Sequence, residues 1–348
     1  MPVRRETIDQ LASISNVSVS EGALLSQHTR FGIGGPADVL VEAASEEAFA
    51  QALRVAQASG ASYVVIGDGT NLIVSDQGFA GIVLRFIANG IQSHVQSEGT
   101  TVRAEAGAEL QALVDYCIDR GLRGLETMTG IPGSVGAAVY GNAGAYGHSV
   151  DERVGQVRFL EGSAVRSFGP GECRFRYRES IFKERKDWII LSVDLCMTVA
   201  SAEELQRTAD EILQVRIAKY PPTMKCAGSI FKNLILAELP EAVRRQIPER
   251  VIREGKAPSA YFLEQVGAKG MQNGGIHVAD YHANLIYNAG GGTASEICEL
   301  IAELKSRVRK QFGLELEEEV QYVGFGVVPN AVPQAAPHAA PPVAPHPA

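Results

Sequence analysis

The stretch from Gly124 to Gly147, GLETMTGIPGSVGAAVYGNAGAYG, constrains this chain more than any other. It carries glycine at 124, 130, 133, 136, 141, 144 and 147, with Pro132 among them. That density of glycine suits neither the interior of a helix nor a central strand. Glu126 is its one charged side chain. Such a segment reads as a backbone that approaches a guest closely, with amides free to donate. A flat, phosphate-bearing cofactor fits that description. A flexible linker is the alternative, but Leu125, Met128, Ile131, Val135, Val139 and Tyr140 supply apolar anchors that a linker lacks.

With 348 residues the chain can bury a sizeable core in two or three domains. Hydrophobic content of 45% and charged content of 21% are those of an ordinary globular protein. A net charge of −8 with no basic block argues against nucleic acid or an anionic membrane as the main partner. The start, MPVRRETIDQ, has no apolar run of signal-peptide length, and no later run is long enough to span a bilayer. Cys117, Cys173, Cys196, Cys226 and Cys298 are scattered, and no pair has zinc-ligand spacing. Reduced thiols, a cytoplasmic chain and no metal site are expected.

Taken in order, residues 1–20 are polar and read as a peripheral arm. Gly34, Gly35 and Pro36 make a turn ahead of a strand holding Val39 and Val41. Ser45 caps a helix with Phe49, Leu53 and Ala56 on one face, ended by Gly60. Tyr63–Ile66 reads as a short buried strand, and Leu72–Val74 and Ile82–Phe86 as further strands. Between the first two lies Gly67-Asp68-Gly69-Thr70-Asn71. It lacks the Gly-Lys-Ser/Thr of a P-loop, so it is either a pyrophosphate-holding loop or an ordinary hairpin turn. Val102–Ala104 is a strand, and a helix through Leu110, Leu113, Cys117 and Ile118 stops at Gly121.

After the glycine-rich stretch, Val154–Leu160 and Ile189–Met197 read as strands around a polar excursion containing Tyr177-Arg178-Glu179-Ser180-Ile181-Phe182. Arg178 could face a flavin or an anion, or sit in a surface ion pair. Ser201 and Glu204 have capping-box spacing at the start of a helix with Leu205, Ala209, Ile212 and Ile217 on its buried face. Ser229, after Ala227-Gly228, is a turn serine without the Gly-x-Ser-x-Gly elbow of a hydrolase. Residues 238–258 read as a surface insertion. His282 and Asn284, two apart on a strand, would face the same side. Thr293 and Glu296 make a capping box for a helix through Ile297, Ile301, Leu304 and Val308. Leu316–Gly324 reads as a closing strand, with Glu317 and Glu319 on one side and Glu318 on the other. A carboxylate buried there could carry a proton, whereas a solvated acidic edge could not. The Pro/Ala-rich residues 327–348 read as a disordered tail.

HTRFGIGGPAD, VIGDGTNLIVSD, the glycine-rich stretch, YRESIF, AGSIFKN, YHANLIYNAG and LEEEVQYVG follow one another in this order. Together, from about Ser26 to Gly324, they resemble the UDP-N-acetylenolpyruvoylglucosamine reductases, flavoenzymes that complete UDP-N-acetylmuramate for bacterial peptidoglycan. The resemblance implies an α+β, vanillyl-alcohol-oxidase-like fold. FAD would lie between a lobe at 21–88 and a lobe at 89–215, and a substrate-binding lobe would span 216–326. The FAD cradle would comprise Gly67, Asp68, Gly69, Thr70 and Asn71 with Gly130, Pro132, Gly133, Ser134, Gly136, Asn142 and Gly144. NADPH would reduce the flavin and leave, and UDP-N-acetylglucosamine enolpyruvate would then enter the same cleft.

By the same resemblance, Arg178 and a protonated Glu319 would stabilise charge that builds beside the substrate carboxylate. Ser229 would deliver the proton. A serine is a weak acid, but a developing carbanion is a far stronger base. Tyr177, Lys219 and Asn233 would lie near the substrate's carboxylate and diphosphate, and His282 would also be on the substrate side. A monomer is expected. One subclass of the family carries an extra tyrosine-bearing loop, for which the residues between Ala200 and Val215, filled by one helix, leave no room. Glu318 stands where proline is usual, and Glu319 is taken as the catalytic carboxylate because it directly precedes Val320. The competing expectation is an alcohol or sugar oxidase of the same fold. Many of these attach FAD through a histidine, but His28 and His94 lie outside the cradle motifs.

Overall fold

A computed structural model describes residues 3–96 and 99–326, so the tail at 327–348 lies outside the described residues. Among the described residues three larger sheets are accompanied by three two-stranded ones. The first runs Val17–Glu21, Ala37–Ala43, Phe79–Phe86, Tyr63–Ile66; its outer pair is antiparallel and the rest are parallel. The helix Glu46–Ala58 provides the crossover and buries Phe49, Ala52, Leu53 and Ala56 against the sheet, with Ser45 accepting from the Ala48 amide. The arm is more integral than its polarity suggests. Its helix Arg5–Ala12 sinks Ile8 and Leu11 into the main core, and Val17–Glu21 is a sheet edge.

The second sheet is antiparallel, in the order Ala164–Phe168, Val154–Glu161, Trp188–Val199, Gly99–Glu105, Ile91–Gln96. The helix Leu110–Asp119 shares its core. The third sheet, Lys225–Ser229, Leu285–Asn288, Ile276–Val278, Gln272–Asn273, packs with the helices Ser259–Gln265 and Ala294–Phe312 around a separate core. Thr293 and Glu296 form the reciprocal capping box of that last helix. Its first amides are also capped from far away in sequence, because Asp76 accepts from Ala294 N at 2.7 Å and Ser295 N at 3.0 Å. The chain closes when Gln321–Val323 pairs in parallel with Leu72–Val74.

Several local expectations change. The stretch Gly67–Asn71 is no hairpin turn: its flanking strands pair with different partners, one with Phe79–Phe86 and the other with the C-terminal strand. Tyr63–Ile66 is half-buried, because it walls a cavity. The glycine-rich stretch contains a six-residue helix, Val135–Tyr140, capped by the Ser134 hydroxyl. On the helix Ala202–Lys219, Ile217 is exposed and the inward position one residue earlier is taken by Arg216, in register with Leu205, Ala209 and Ile212. Ser201 accepts from Glu204 N, but the Glu204 carboxylate turns to Arg123 instead of completing a box. Residues 238–258 bury Leu239, Val243 and Ile247 in the third core. His282 and Asn284 sit in the turn before the strand Leu285–Asn288. Regular pairing at the closing end is limited to Gln321–Val323, preceded by an isolated bridge between Phe231 and Glu318. Among the described residues no helix is long and apolar enough to cross a membrane.

Candidate active site

Arg178 stands at the tip of a tight turn closed by reciprocal hydrogen bonds between Arg176 and Glu179, both 3.0 Å. Its φ of +58° is in the left-handed region, so the turn holds a non-glycine residue in a strained conformation. The guanidinium explains why. Nε donates to Glu319 Oε1 at 2.8 Å, Nη2 to Gly144 O at 2.8 Å, and Nη1 to Asn142 O at 3.4 Å. Asn142 is itself buried and donates to Arg176 O at 3.1 Å, tying the glycine-rich stretch to the same turn. A guanidinium has five N–H groups, so two remain for a ligand.

Ser229 ends the strand Lys225–Ser229, just after Gly228 in the left-handed region. Its Oγ lies 3.3 Å from the Tyr220 hydroxyl. The segment that follows is clamped by Asn284. That side chain accepts from Phe231 N at 2.9 Å and donates to Phe231 O at 2.8 Å and Ser259 Oγ at 2.7 Å, all in a buried setting. On its other edge the segment pairs with the acidic one: Glu319 N donates to Ile230 O at 2.7 Å, and Lys232 N to Glu317 O at 2.9 Å. Asn71 then accepts from Gln321 N at 2.9 Å and donates to Glu319 O at 2.9 Å. Ser229, Glu319 and the Gly67–Asn71 loop are thus held by one continuous run of main-chain bonds.

Two cavities meet here. The first, about 260 Å³, is lined by Thr70, Asn71, Pro132, Ser134, Gly144, Tyr177, Arg178, Ser229, Asn233 and Glu319, and by Arg30, Arg216 and Tyr220. Tyr177 is buried enough to push its phenol above its usual range, and its hydroxyl accepts from Asn233 N at 3.2 Å. The second cavity, about 440 Å³, runs between the segment Tyr63–Leu72 and the wall made by Gly136, Ala137, Tyr140, Trp188, Ile189 and Ile190. Arg178 and Glu319 belong to both.

The residues fit a flat, phosphate-bearing cofactor. The long cavity has apolar walls and a floor of backbone, and Lys183 and Lys186 line it as cations. Its floor leaves no room for a side chain at Gly69. A Cβ at Gly69, whose φ is +66°, would stand 1.9 Å from His28 O. Gly133, φ +119°, lines neither cavity but backs the loop, since a Cβ there would stand 2.7 Å from Thr70 Oγ1. Asp68 lines the cavity while accepting from Arg85 at 3.2 Å.

Other expected site residues lie behind this lining. Gly130 donates to Gln111 and backs Arg216; a Cβ there would meet Arg216 Nε at 3.1 Å. Asn142 orders the Arg178 turn. Lys219 lines neither cavity; its carbonyl accepts from the Tyr281 hydroxyl at 2.9 Å. His282 also lines neither, and its Nδ1 accepts from Asn284 N at 3.3 Å. Glu319 lines the cavities and Glu317 does not.

Arg30 and Arg216 were not singled out from the sequence. For Arg216 a signal existed: a basic residue in the apolar stripe of its helix. Its Nε is buried without a hydrogen-bond partner, and burial pulls the guanidinium below its usual range, with Arg30 adding repulsion.

The comparisons agree with this geometry. Residues 37–163 match the sequence model of an FAD binding domain, and residues 220–323 that of the UDP-N-acetylenolpyruvoylglucosamine reductase C-terminal domain. The chain is 61% identical over 315 residues to UDP-N-acetylenolpyruvoylglucosamine reductase of Solibacter usitatus, covering 90% of this chain and 100% of that one. It is 34% identical over 317 residues to the enzyme of that name from Carboxydothermus hydrogenoformans, covering 91% and 97%. The crystal structure of UDP-N-acetylenolpyruvylglucosamine reductase from Thermus caldophilus matches with a TM-score of 0.67 at 28% identity, over 88% of this chain and 98% of that one. With an α+β FAD-binding fold of the vanillyl-alcohol-oxidase type in front and this C-terminal domain behind, the chain belongs to the UDP-N-acetylenolpyruvoylglucosamine reductase family.

Proposed function

We propose that this chain reduces the enolpyruvyl group of UDP-N-acetylglucosamine enolpyruvate to give UDP-N-acetylmuramate for peptidoglycan, with Arg178, Ser229 and Glu319 as its catalytic residues. Bound FAD, reduced by NADPH, supplies the hydride. The observation that carries the assignment of residues is their convergence: Arg178 and Glu319, 141 positions apart, share one cavity with Ser229.

Each residue then has a task. Arg178 aims its two uncommitted N–H groups at the substrate carboxylate, where negative charge grows as the double bond is reduced. The Glu319 carboxylate and the Gly144 and Asn142 carbonyls keep that guanidinium from turning away. Ser229 Oγ donates one proton to the developing carbanion, and the Tyr220 hydroxyl beside it is placed to share the charge left on the serine oxygen. Arg30 and Arg216, cations in the same cavity, suit the diphosphate of the nucleotide sugar. Tyr177 and Asn233, joined by a hydrogen bond, line the same cavity.

The chain works as a cytoplasmic monomer, with the 21–88 and 89–215 lobes holding FAD and the 216–326 lobe covering the substrate. The test is spectroscopic. The purified protein is yellow; NADPH without oxygen bleaches its flavin, and the enolpyruvyl nucleotide sugar restores the colour stoichiometrically. Reoxidation by oxygen alone, or a flavin that stays attached on denaturation, would favour an oxidase instead.

A further inference from the structure

Beside the cavities lies a cluster of four charges, of which only Lys183 lines one of them and the other three have no part in the chemistry above. Lys232, with a side chain only 8% exposed, points its ammonium between two carboxylates: Glu179 at 2.5 Å, and Glu317. Glu179 also accepts from Lys183 at 3.1 Å, and Lys183 donates to the carbonyl of Arg178 at 2.9 Å. Burial alone would pull Lys232 down, but the two carboxylates outweigh it and hold the ammonium above its usual range. Burial would likewise raise Glu179, and its bonds to Lys232 and Lys183 hold it below the usual carboxylate range. The Lys232–Glu179 pair is therefore held in its charged form, while burial pulls the neighbouring Lys183 below its usual range.

What matters is where the four side chains are attached. Glu179 directly follows Arg178. Lys232 comes three residues after Ser229, and Glu317 two before Glu319. Each segment that delivers a reacting group thus carries at least one member of the cluster, the Arg178 segment two, Glu179 and Lys183, and the three segments come from distant parts of the sequence. Main-chain pairing already joins the Ser229 and Glu319 strands, through Glu319 N to Ile230 O and Lys232 N to Glu317 O. The Arg178 turn has no such ladder to either. Among the described residues its ties are the Arg178–Glu319 ion pair, the Asn233 N to Tyr177 hydroxyl bond and this cluster. The first two face the cavity, where ligands act on them.

We propose that Lys232 is a positioning residue, which fixes the Arg178 turn in register with Ser229 through Glu179 and so sets the alignment of cation and proton donor on the substrate. The idea rests on the catalytic roles proposed above. A buried lysine is a costly way to add stability, and its removal strands a carboxylate. Its value here is geometric: a displacement of about 1 Å at a reacting group costs roughly 100-fold in rate.

The experiment uses the holoenzyme and separates the half-reactions. Lys232→Met is expected to slow reoxidation of the reduced flavin by the enolpyruvyl nucleotide sugar by at least about 30-fold, with reduction by NADPH within about threefold of the parent and FAD content unchanged. The loss falls on kcat more than on KM, because the substrate's distant groups still bind. Lys232→Arg, which keeps charge and reach, recovers most of the rate. The double variant Lys232→Met with Glu179→Gln separates alignment from a stranded charge. It regains thermal stability relative to Lys232→Met but remains slow. Reoxidation of Lys232→Met within threefold of the parent would overturn the proposal, as would full recovery in the double variant or equal loss in both half-reactions. A parent protein that itself fails to be reoxidised by the nucleotide sugar would instead contradict the assigned reaction.

Discussion

Arg178 Nε lies 2.8 Å from Glu319 Oε1, and both side chains are about one-quarter exposed, on the boundary between two cavities. This ion pair joins a strained turn to the last segment of the fold. An arginine with three N–H groups committed and two left free is a directional anion clamp, which a lysine cannot reproduce.

Replacement of Arg178 by lysine is therefore expected to slow substrate-driven flavin reoxidation by about 100- to 1,000-fold, the cost of removing one preorganised charge donor. FAD content and the far-ultraviolet spectrum are unchanged. Rapid mixing of reduced enzyme with substrate measures the rate.

Arg216 is expected to act in binding. Its buried Nε has no partner in the protein, and its helix holds it against the Tyr220 ring at 5.6 Å. Arg216→Leu should raise KM for the nucleotide sugar by about 10- to 100-fold, in line with the loss of one or two hydrogen bonds to a charged group. Steady-state kinetics at saturating NADPH would show the change in KM, with kcat much less affected.

Asn284 carries stability. Truncation to alanine leaves Phe231 N, Phe231 O and Ser259 Oγ without its three bonds, in a site closed to water. A loss of about 3 kcal/mol is expected. Urea unfolding measures it, and the slope of the transition stays the same.

His282 predicts a pH dependence of stability. Burial, then Lys219, pushes its imidazole down from 6.5 to about 4; Glu264 opposes the shift and Lys269 adds to it. The folded state thus keeps His282 neutral where the unfolded chain binds a proton. Its contribution is fully present above about pH 6.5 and is lost as pH falls toward about 4. His282→Phe should flatten the stability–pH curve in that window, seen as a smaller drop in Tm between pH 7 and pH 5 than in the parent.

What the sequence made legible was local or motif-borne. The capped helices at Ser45 and Thr293, the Gly67–Asn71 loop and the residues Arg178, Ser229 and Glu319 could be picked out because each sits in a short, distinctive string. What stayed hidden depends on pairing between remote segments. The union of Leu72–Val74 with Gln321–Val323 turns an apparent hairpin into a parallel seam, and no local pattern encodes it. The helix inside the glycine-rich stretch was masked by Gly136, which is needed because a Cβ there would press on Ala106 at 2.8 Å. Lys232 looks like an ordinary polar residue of AGSIFKN until Glu179 and Glu317 are brought around it. Lys219 drew attention on motif position, yet the helix turns Arg216 into the cavity.

The central claim is that Ser229 supplies the proton in a cavity shared with Arg178 and Glu319, and the most direct measurement is the pair of half-reactions of Ser229→Ala under anaerobic conditions. The account predicts that NADPH bleaches the variant's FAD at the parent rate, while the enolpyruvyl nucleotide sugar reoxidises it about 100- to 10,000-fold more slowly, the range for loss of a positioned general acid. Equal loss of both half-reactions, or reoxidation by the nucleotide sugar at the parent rate, would contradict it.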